Sequence, residues 1–439
     1  MDQTLELQLN KACLTPPEQE EFVKLHQDPV TILQMGEGNF LRGFFDWMIQ
    51  QARNQGIYQG SIVVTQPTVR GKDKIDGLRK QDGLYTLVLR GIENGVPVER
   101  KERISVFSSA LNPYEDWESF LKLAENPDLQ VVVSNTTEAG LVYRPELYIE
   151  GEALASFPGK MTQFLYRRYV TFAGAVDRGL LFLPCELLER NGDELLACIL
   201  RYSEDWGLPE AFTRWVKEHN QFLCTLVDRI VTGYPAAEAE AWFEEWGHRD
   251  PFLCTAEPYH FLAIEGDPSL EAWLPLQRAG LNVHWVKDLT PFRLRKVRLL
   301  NGAHTLMTPL AILYGLEHVR EVMENEAFNG YVRRVIQEEV IPSVPLPEQE
   351  LKDYAESIYE RFLNPFIHHR LYDIAMNSVS KFKVRLLPSL LYYSDHGLAL
   401  PQGITCSLAG LLRYYKVSKT EQGYVGTTLA GTKYTVRDE

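Results

Sequence analysis

The sequence predicts an α/β fold, with an N-terminal Rossmann-like domain built on a mostly parallel sheet and a mainly α-helical C-terminal domain. Residues 30–35 (VTILQM) form a β-branched apolar run that leads directly into the glycine turn GEGNFLRG and the amphipathic segment FFDWMIQQA, which is typical of a dinucleotide-binding unit. Strand-like and helical patterns then alternate up to about residue 190, and such alternation favours a parallel sheet covered by helices on both faces. After about residue 290 nearly every apolar pattern has helical spacing.

The other predicted strands of the N-terminal part are apolar runs bounded by polar or turn-forming residues. They are residues 61–66 (SIVVTQ), 129–137 (LQVVVSNTT) and 179–186 (GLLFLPCE), with a hairpin over 84–107 that turns at Asn94-Gly95. Asn-Gly between two alternating segments is the strongest short-range hairpin signal. Residues 113–126 (PYEDWESFLKLAEN) are predicted to form one of the intervening helices.

The region from about residue 190 to residue 288 is predicted to be a helical extension of the first domain. Apolar residues recur with helical spacing over 209–231 (PEAFTRWVKEHNQFLCTLVDRIV), and only 281–289 (LNVHWVKDL) has a short β-like pattern. We therefore expect two domains, 1–288 with the dinucleotide site and 289–439 with the substrate-binding and catalytic residues.

The composition narrows the possible partners. The 439 residues include 45 Lys+Arg and 59 Asp+Glu, for a formal net charge of −14. An acidic surface repels phosphate backbones, so nucleic acid is not expected as a partner, and an anionic substrate would need local cations. No apolar run is long enough to span a membrane, and the polar N-terminus lacks the apolar core of a signal peptide. The six scattered cysteines have no metal-ligand spacing, so we expect a cytoplasmic protein with reduced thiols and no metal.

The glycine turn is the first candidate site. Gly36 and Gly38 fit a tight turn and a close backbone approach to a pyrophosphate, whereas Leu41 occupies the third glycine position of the usual G-x-G-x-x-G pattern. The alternative is an ordinary strand–turn–helix connection. At the end of the second strand, Gln66 replaces the acidic residue that usually binds the adenosine ribose, and Arg70 nearby could attract a 2′-phosphate. This segment therefore leaves NAD and NADP both open.

The second candidate site is the segment KVRLLNGAHT, which contains Lys296, Asn301 and His304. These residue types can accept a proton, donate a hydrogen bond and orient a substrate hydroxyl. On one regular α-helix His304 lies about 80° and Asn301 about 140° from Lys296 around the axis. If Asn301-Gly302 instead ended one helix, the three groups would come closer together. The same residues also fit an ordinary turn and a buried structural histidine.

Alcohol oxidation without metal ligands needs a basic group to take the hydroxyl proton, and Lys296 is the candidate. Arg293, Arg295 and Arg298 surround it in the sequence. Nearby cations favour the neutral amine that a general base requires. These arginines are equally suited to solvent or to carboxylate partners elsewhere.

Several segments together resemble the mannitol dehydrogenase family of long-chain polyol and hexonate dehydrogenases. The resemblance covers nearly the whole chain in the family's order, and the K-x4-N-x2-H spacing is its most specific element. The segments are GEGNFLRG (36–43), QDGLYTL (81–87), SNTTEAG (134–140), PCELLERNG (184–192), VDRI (227–230), AEPYHFLAIEG (256–266), DLTPFRLRKVRLLNGAHT (288–305), RFLNPFIHHR (361–370) and NSVSKFKVRLLPSL (377–390).

The resemblance implies an NAD cofactor and a metal-free site. Lys296 would be the general acid or base, Asn301 and Asn191 would polarise the substrate oxygen, and His304 would hold a neighbouring hydroxyl. Mannitol enzymes place a Glu at the position of Arg293, so a proton route through that Glu does not carry over. The expected cofactor contacts are Gly36, Glu37, Gly38, Asn39, Phe40, Arg42, Gln66, Thr136, Thr137 and Glu138.

Two segments, PCELLERNG with its Glu186 and NSVSKFKVRLLP, resemble the members of the family that interconvert D-tagaturonate and D-altronate in galacturonate catabolism. The alternatives are fructuronate–mannonate interconversion and mannitol-type polyol oxidation, and a non-catalytic dinucleotide-binding regulator is a more remote one. A hexonate needs a cationic partner for its carboxylate, and we expect Arg361 or Lys381 to provide it. The expected partner is thus a small-molecule substrate. The protein itself is expected to be a monomer or a small homo-oligomer.

Overall fold

The computed structural model describes residues 7–421 and 423–438. The first six residues of the polar N-terminal segment, residue 422 and residue 439 lie outside the described residues. The chain divides into two compact units, the first comprising residues 1–89 and 99–289 and the second comprising 90–98 and 290–439. The second unit therefore includes the tip of the hairpin predicted around Asn94-Gly95.

A six-stranded parallel sheet forms the centre of the first unit, in the order β5-β2-β1-β6-β7-β8. The first eight strands of the chain, of which β3 and β4 belong to another sheet, are β1 (Val30–Met35), β2 (Ser61–Thr65), β3 (Tyr85–Glu93), β4 (Val96–Ile104), β5 (Phe107–Leu111), β6 (Val131–Ser134), β7 (Leu181–Pro184) and β8 (Gln221–Phe222). The Rossmann-like fold class is confirmed, as are the strands predicted within 30–35, 61–66, 129–137 and 179–186. The hairpin is confirmed too, since Asn94 and Gly95 have φ of 52° and 76° at its turn.

Helices cover both faces of this sheet. The helices of the first unit are α1 (Pro16–Gln27), α2 (Asn39–Arg42), α3 (Phe45–Asn54), α4 (Lys72–Lys80), α5 (Trp117–Ala124), α6 (Phe157–Thr171), α7 (Asn191–Asp205), α8 (Glu210–His219) and α9 (Ala239–Trp246). Of these, α9 packs against Val88 of β3, outside this sheet. Successive strand residues point to opposite faces, so Ile32 joins the core that contains Phe45 of α3, and Leu33 joins the core that contains Phe164 of α6. Burial on both faces explains why the central strands are continuous apolar runs.

The helical extension predicted from residue 190 is wrong in part, because the region contains five more strands. They are β9 (Cys224–Asp228), β10 (Val231–Gly233), β11 (Cys254–Ala256), β12 (Phe261–Glu265) and β13 (Val283–Val286). The helix predicted over 209–231 ends at His219. After it, β8 pairs with β7, and β9 joins a second sheet ordered β13-β12-β9, where Val227 lies opposite Leu262. The short β pattern at 281–289 is confirmed by β13.

The second unit is mainly helical, as predicted. Its elements are α10 (Thr290–Arg295), a π-helical turn (Lys296–Leu300), α11 (Asn301–Tyr314), α12 (Val319–Glu324), α13 (Glu326–Val335), a second π-helical turn (Ile336–Val340), α14 (Glu348–Phe362), α15 (Leu371–Ile374), α16 (Ser378–Arg385), α17 (Leu387–Asp395), α18 (Gln402–Tyr414), and the antiparallel strands β14 (Ser418–Thr420), β15 (Gly423–Thr427) and β16 (Lys433–Val436). Helix α11 is almost entirely buried and packs against α15, α16 and α18. Within residues 7–421 and 423–438, no helix is long and apolar enough to cross a bilayer.

Candidate active site

The glycine turn after β1 has the geometry that a dinucleotide requires. Gly36 has a φ of 133°, and a Cβ at this position would lie 3.0 Å from the carbonyl oxygen of Asn135, so a side chain here would be strained. Around Gly38, by contrast, a Cβ would meet nothing within 4 Å. This open space in front of the first N–H groups of α2 suits the close approach of a pyrophosphate.

A cavity of about 230 Å³ lies at the carboxyl edge of the sheet, between the loops that follow β2 and β6. Dinucleotides bind outside the carboxyl ends of the strands in sheets of this type. Its polar lining includes Thr68, Thr136, Thr137, Arg144 and Ser156. The residues of the first unit therefore fit a dinucleotide.

The loop after β6 is held by the buried carboxylate of Glu186. Its Oε1 accepts hydrogen bonds from the backbone N–H of Thr136 at 2.8 Å and from the Thr136 hydroxyl at 3.0 Å. Burial raises the pKa of Glu186. Thr137, which has a φ of 74°, and Glu138 are exposed on the same loop. Glu186 is thus a loop-positioning residue that sequence reasoning used only as a family marker.

Three of the expected cofactor residues brace the glycine turn from within the protein. Arg42 is buried, and it donates to the carbonyl oxygen of Glu37 at 3.3 Å, to Asn39 Oδ1 at 2.6 Å and to the carbonyl oxygen of Phe252. The ring of Phe40 stacks on Phe44 at 4.9 Å. The side chains of Asn39, Phe40 and Arg42 therefore shape the turn.

The carboxylate beside the loop after β2 comes from Glu37. Gln66 is fully buried, and its Nε2 donates to the carbonyl oxygen of Thr68 at 3.1 Å, so its amide serves its own loop. Glu37 Oε1 lies 3.5 Å from Lys74 Nζ and would lie 3.0 Å from a Cβ on Gly71. The acid that usually ends the second strand is replaced by Gln66, and in the structure a carboxylate from the turn after β1 lies at this place instead.

Lys160 is a buried residue that the sequence analysis missed. Its Nζ donates to the carbonyl oxygens of Pro67 and Leu154, both at 3.0 Å, and to the Tyr114 hydroxyl at 2.9 Å. Burial lowers its pKa to about 7. Lys160 therefore ties together loops around the cavity, and its neighbourhood in the sequence has no signal of this role.

Asn191, at the start of α7, is 1% exposed. Its Nδ2 donates to the carbonyl oxygens of Pro184 at 2.8 Å and Glu186 at 3.0 Å, and its Oδ1 accepts from the backbone N–H of Thr225 at 2.9 Å. These bonds connect β7, α7 and β9. In this structure the Asn191 amide is used inside the first unit.

In the second unit, Lys296, Asn301 and His304 lie on one continuous helix that contains a π-helical turn. The turn spans Lys296–Leu300, and the backbone N–H of Asn301 donates to the carbonyl oxygen of Lys296. Asn301 itself has helical φ and ψ of −70° and −32°. The alternative that Asn301-Gly302 ends one helix is therefore wrong. The wider π turn moves Asn301 toward the side of Lys296, compared with the arc of a regular α-helix.

His304 is buried beside several positive charges. Burial, followed by the charges of His369, Arg385, Arg361 and Lys381, holds its pKa well below the ordinary histidine value. Its ring contacts the rings of Phe362 at 4.5 Å and His369 at 4.9 Å. Within the described part of the chain, His304 Nε2 has no hydrogen-bond partner. A neutral imidazole with an unsatisfied nitrogen can bind a substrate hydroxyl.

The charges of Arg361 and Lys381, the two expected carboxylate partners, both contribute to lowering the pKa of His304, and the ring of His369 contacts the His304 ring. Lys381 Nζ donates to the carbonyl oxygen of Ile374 at 2.8 Å. The sequence analysis missed Arg385, although it follows Lys381 by four residues and so shares its face of α16.

Two of the three arginines that flank Lys296 in the sequence have other partners. Arg295 pairs with Glu350 at 2.7 Å. Arg298 is buried and donates to the hydroxyls of Ser343 and Ser389, and burial lowers its pKa to about 10. Arg295 thus has a carboxylate partner elsewhere, as the alternative interpretation allowed, whereas Arg298 is neither solvated nor, among the described residues, paired with a carboxylate.

Across residues 7–421 and 423–438, no three His, Cys, Asp or Glu side chains are arranged to hold a metal ion.

Comparison with known families decides the identity of the chain at the family level. The mannitol dehydrogenase Rossmann domain matches residues 30–277, and the mannitol dehydrogenase C-terminal domain matches residues 288–428. The chain belongs to the mannitol dehydrogenase family. Two similar members of this family are called altronate oxidoreductase. The one from Halalkalibacterium halodurans is 44% identical over 95% of this chain and 81% of its own length. The one from Bacillus subtilis is 42% identical over 90% of this chain and 82% of its own length.

Solved structures share the mannitol dehydrogenase family fold. A substrate-free D-sorbitol dehydrogenase superposes with a TM-score of 0.78 at 23% identity, covering 94% of this chain and 84% of its own. Mannitol 2-dehydrogenase of Pseudomonas fluorescens, solved as a ternary complex with NAD and D-mannitol, superposes with a TM-score of 0.68 at 23% identity, covering 98% and 87%.

Proposed function

We propose that this protein is an NAD-dependent tagaturonate reductase, which interconverts D-tagaturonate and D-altronate by reversible hydride transfer without a metal. The relatives called altronate oxidoreductase, such as those of Halalkalibacterium halodurans and Bacillus subtilis, support the substrate. The glycine turn and the polar cavity at the carboxyl edge of the sheet support the dinucleotide.

The observation that carries the reaction type is the helix around the π turn, with its lysine, its asparagine and the unsatisfied nitrogen of His304. NAD supplies the acceptor or donor of the hydride when it is bound. Lys296 exchanges a proton with the reacting oxygen of the substrate, and Asn301 donates a hydrogen bond to that oxygen. His304, kept neutral by burial and by its positive neighbours, binds an adjacent hydroxyl.

Asn191 is kept in the proposal as a second oxygen-polarising residue on the family resemblance alone. Its hydrogen bonds to Pro184, Glu186 and Thr225 supply a structural role in addition. The structural role predicts a loss of stability when Asn191 is replaced, and the role on the substrate predicts a loss of turnover.

The test is NADH oxidation with tagaturonate, fructuronate and fructose in parallel. We expect the highest kcat/KM with tagaturonate, and we expect activity to survive EDTA. A higher kcat/KM with fructuronate would assign the sister activity, and a higher value with fructose would assign a polyol dehydrogenase. Absence of turnover with every substrate, together with NADH binding, would indicate the non-catalytic regulator.

The proposal includes a cytoplasmic location. Cys185, Cys198, Cys224 and Cys254 are buried free thiols, and reduced thiols are typical of that compartment. Fractionation of cells that produce the protein would test this location.

A further inference from the structure

The helix α16 carries a lysine and an arginine, and the arginine, Arg385, bonds to Thr305, the residue after the buried His304. Lys381 and Arg385 lie one helical turn apart. The positive charges of both residues contribute to lowering the pKa of His304, as do those of Arg361 and His369. The protein as a whole carries a net charge of −14. A local concentration of cations in an acidic protein indicates that this part of the second unit receives an anion.

Two acidic residues interact electrostatically with members of this cluster. Burial lowers the pKa of His369 and of Lys381, whereas the charge of Asp373 acts to raise the first and the charge of Asp438 acts to raise the second. Asp438 is also engaged elsewhere, since it accepts from the backbone N–H of Asn377 at 2.8 Å and from the Tyr415 hydroxyl at 2.5 Å. Among the residues that the structure describes, no carboxylate forms an ion pair with Arg385. Two other arginines of this unit, Arg295 and Arg333, do have such partners in Glu350 and Glu356.

The guanidinium of Arg385 is held in place by hydrogen bonds to helix α11. Its Nη1 donates to the Thr305 hydroxyl at 3.1 Å and, at a longer 3.4 Å, to the carbonyl oxygen of Asn301. Arg385 is only partly buried. The hydrogen bonds described for it all start from Nη1, so the edge formed by Nε and Nη2 is available for a planar anion. A carboxylate binds such an edge with two parallel hydrogen bonds.

We propose that Arg385 binds the carboxylate of the hexonate substrate and thereby makes the site prefer sugar acids to neutral sugars. This inference rests on the proposed function. Arg385 suits the task better than the two residues expected from the sequence. Lys381 is a point charge with one donor already on Ile374. Arg361 is 7% exposed and already has an interaction within the protein.

The test compares Arg385→Met and Arg385→Lys with Lys383→Met. Lys383 lies on the same helix two residues away and is exposed, so its substitution removes the same charge without touching the cluster. For each variant, kcat/KM is measured with tagaturonate and with fructose, and KM is measured for NADH. We expect Arg385→Met to lower kcat/KM for tagaturonate roughly 10- to 150-fold, because charge-assisted hydrogen bonds are lost. We expect the fructose value and the KM for NADH to change less than threefold.

Arg385→Lys should lower kcat/KM for tagaturonate by an intermediate factor, because the positive charge remains but the bidentate geometry is lost. Lys383→Met should match the unchanged protein with both substrates. Equal losses with tagaturonate and fructose, or no loss with either, would overturn the inference. If Arg385→Met fails to fold, the same comparison with Arg385→Lys decides. If the unchanged protein prefers fructuronate, the proposed function fails, while the fructuronate-to-fructose ratio still tests Arg385.

Discussion

The backbone N–H of Asn301 donates its hydrogen bond to the carbonyl oxygen of Lys296, five residues earlier in the chain. In a regular α-helix the acceptor would be the residue four positions earlier. The extra residue in this turn brings Asn301 round toward Lys296, and such π turns are frequent at functional sites. The geometry supports a joint action of these two side chains on one substrate oxygen.

Replacement of Lys296 by alanine should abolish most of the turnover without unfolding the protein. We expect kcat to fall by a factor of roughly 10² to 10⁴, because no other group on this helix turn can exchange the proton. NADH binding, measured by fluorescence titration, should be retained. Lys352→Ala is the matched control, since Lys352 pairs with Glu348 on the exposed surface of α14. A kcat for Lys296→Ala within a few-fold of the control would remove Lys296 from the mechanism.

Replacement of Asn191 by alanine should destabilise the first unit. The change removes the Asn191 partner of the Glu186 carbonyl oxygen and of the Thr225 N–H, whereas the Pro184 carbonyl oxygen keeps its bond from the Thr225 hydroxyl. The expected loss in the free energy of unfolding is about 1–3 kcal/mol, measured by urea denaturation. Glu204→Ala, at an exposed position of α7, should change it by less than about 0.5 kcal/mol. Full stability combined with lost turnover would show that the amide acts on the substrate instead.

The carboxylate of Glu37 should contribute to a preference for NADH over NADPH. It lies beside the loop after β2, near Gly71, where a negative charge repels the 2′-phosphate of NADP. We expect Glu37→Gln to reduce the ratio of kcat/KM values for NADH and NADPH by roughly tenfold. Asp73→Asn, an exposed change of the same charge on α4, should leave the ratio unaltered. If both variants shift the ratio equally, long-range charge and not the position of Glu37 is responsible.

The buried His304 should make the protein less stable in mild acid. Because its pKa in the folded protein is well below the ordinary 6.5, the unfolded chain binds a proton on this residue first as the pH falls. Stability is therefore complete above pH 6.5 and decreases below it, by up to about 1.4 kcal/mol per pH unit. His304→Asn should remove this part of the slope between pH 7.5 and 5.5 in urea denaturation. The surrounding charges of Arg361, His369, Lys381 and Arg385 remain in both proteins.

For comparison, His396→Asn removes an exposed histidine at the end of α17 and leaves the surroundings of His304 intact. Parallel slopes for the unchanged protein and His304→Asn would contradict the prediction, since a histidine that titrates equally in both states contributes no pH dependence.

The pattern of the sequence was sufficient for β1, β2 and β6 because each is a continuous apolar run buried on both faces. It was misleading between His219 and Val231. Apolar residues in this segment recur at intervals that fit a helix and a set of short strands equally well. The pairing of Val227 with Leu262, far away in the sequence, selects the strands.

The expected cofactor residues show the same limit. The glycine turn was predicted from its position after a strand, and the positive φ of Gly36 agrees with that interpretation. The direction of the side chains was not predictable from the sequence. Arg42 and Gln66 are polar residues, which the sequence analysis expected to contact the cofactor. In the structure both are buried, Arg42 bonds to the backbone of the glycine turn, and Gln66 bonds to the backbone of its own loop.

The sequence by itself determined the parallel sheet, the helical second unit and the presence of Lys296, Asn301 and His304 on one stretch of helix. These features follow from local periodicity and from spacing along the chain. Only the tertiary structure decided that the helix widens at Lys296, that Glu37 lies beside the loop after β2, and that Arg385 joins Arg361 and Lys381 around His304. The physical reason is that local periodicity sets which residues share a face of a helix, whereas the packing of distant segments decides what that face meets.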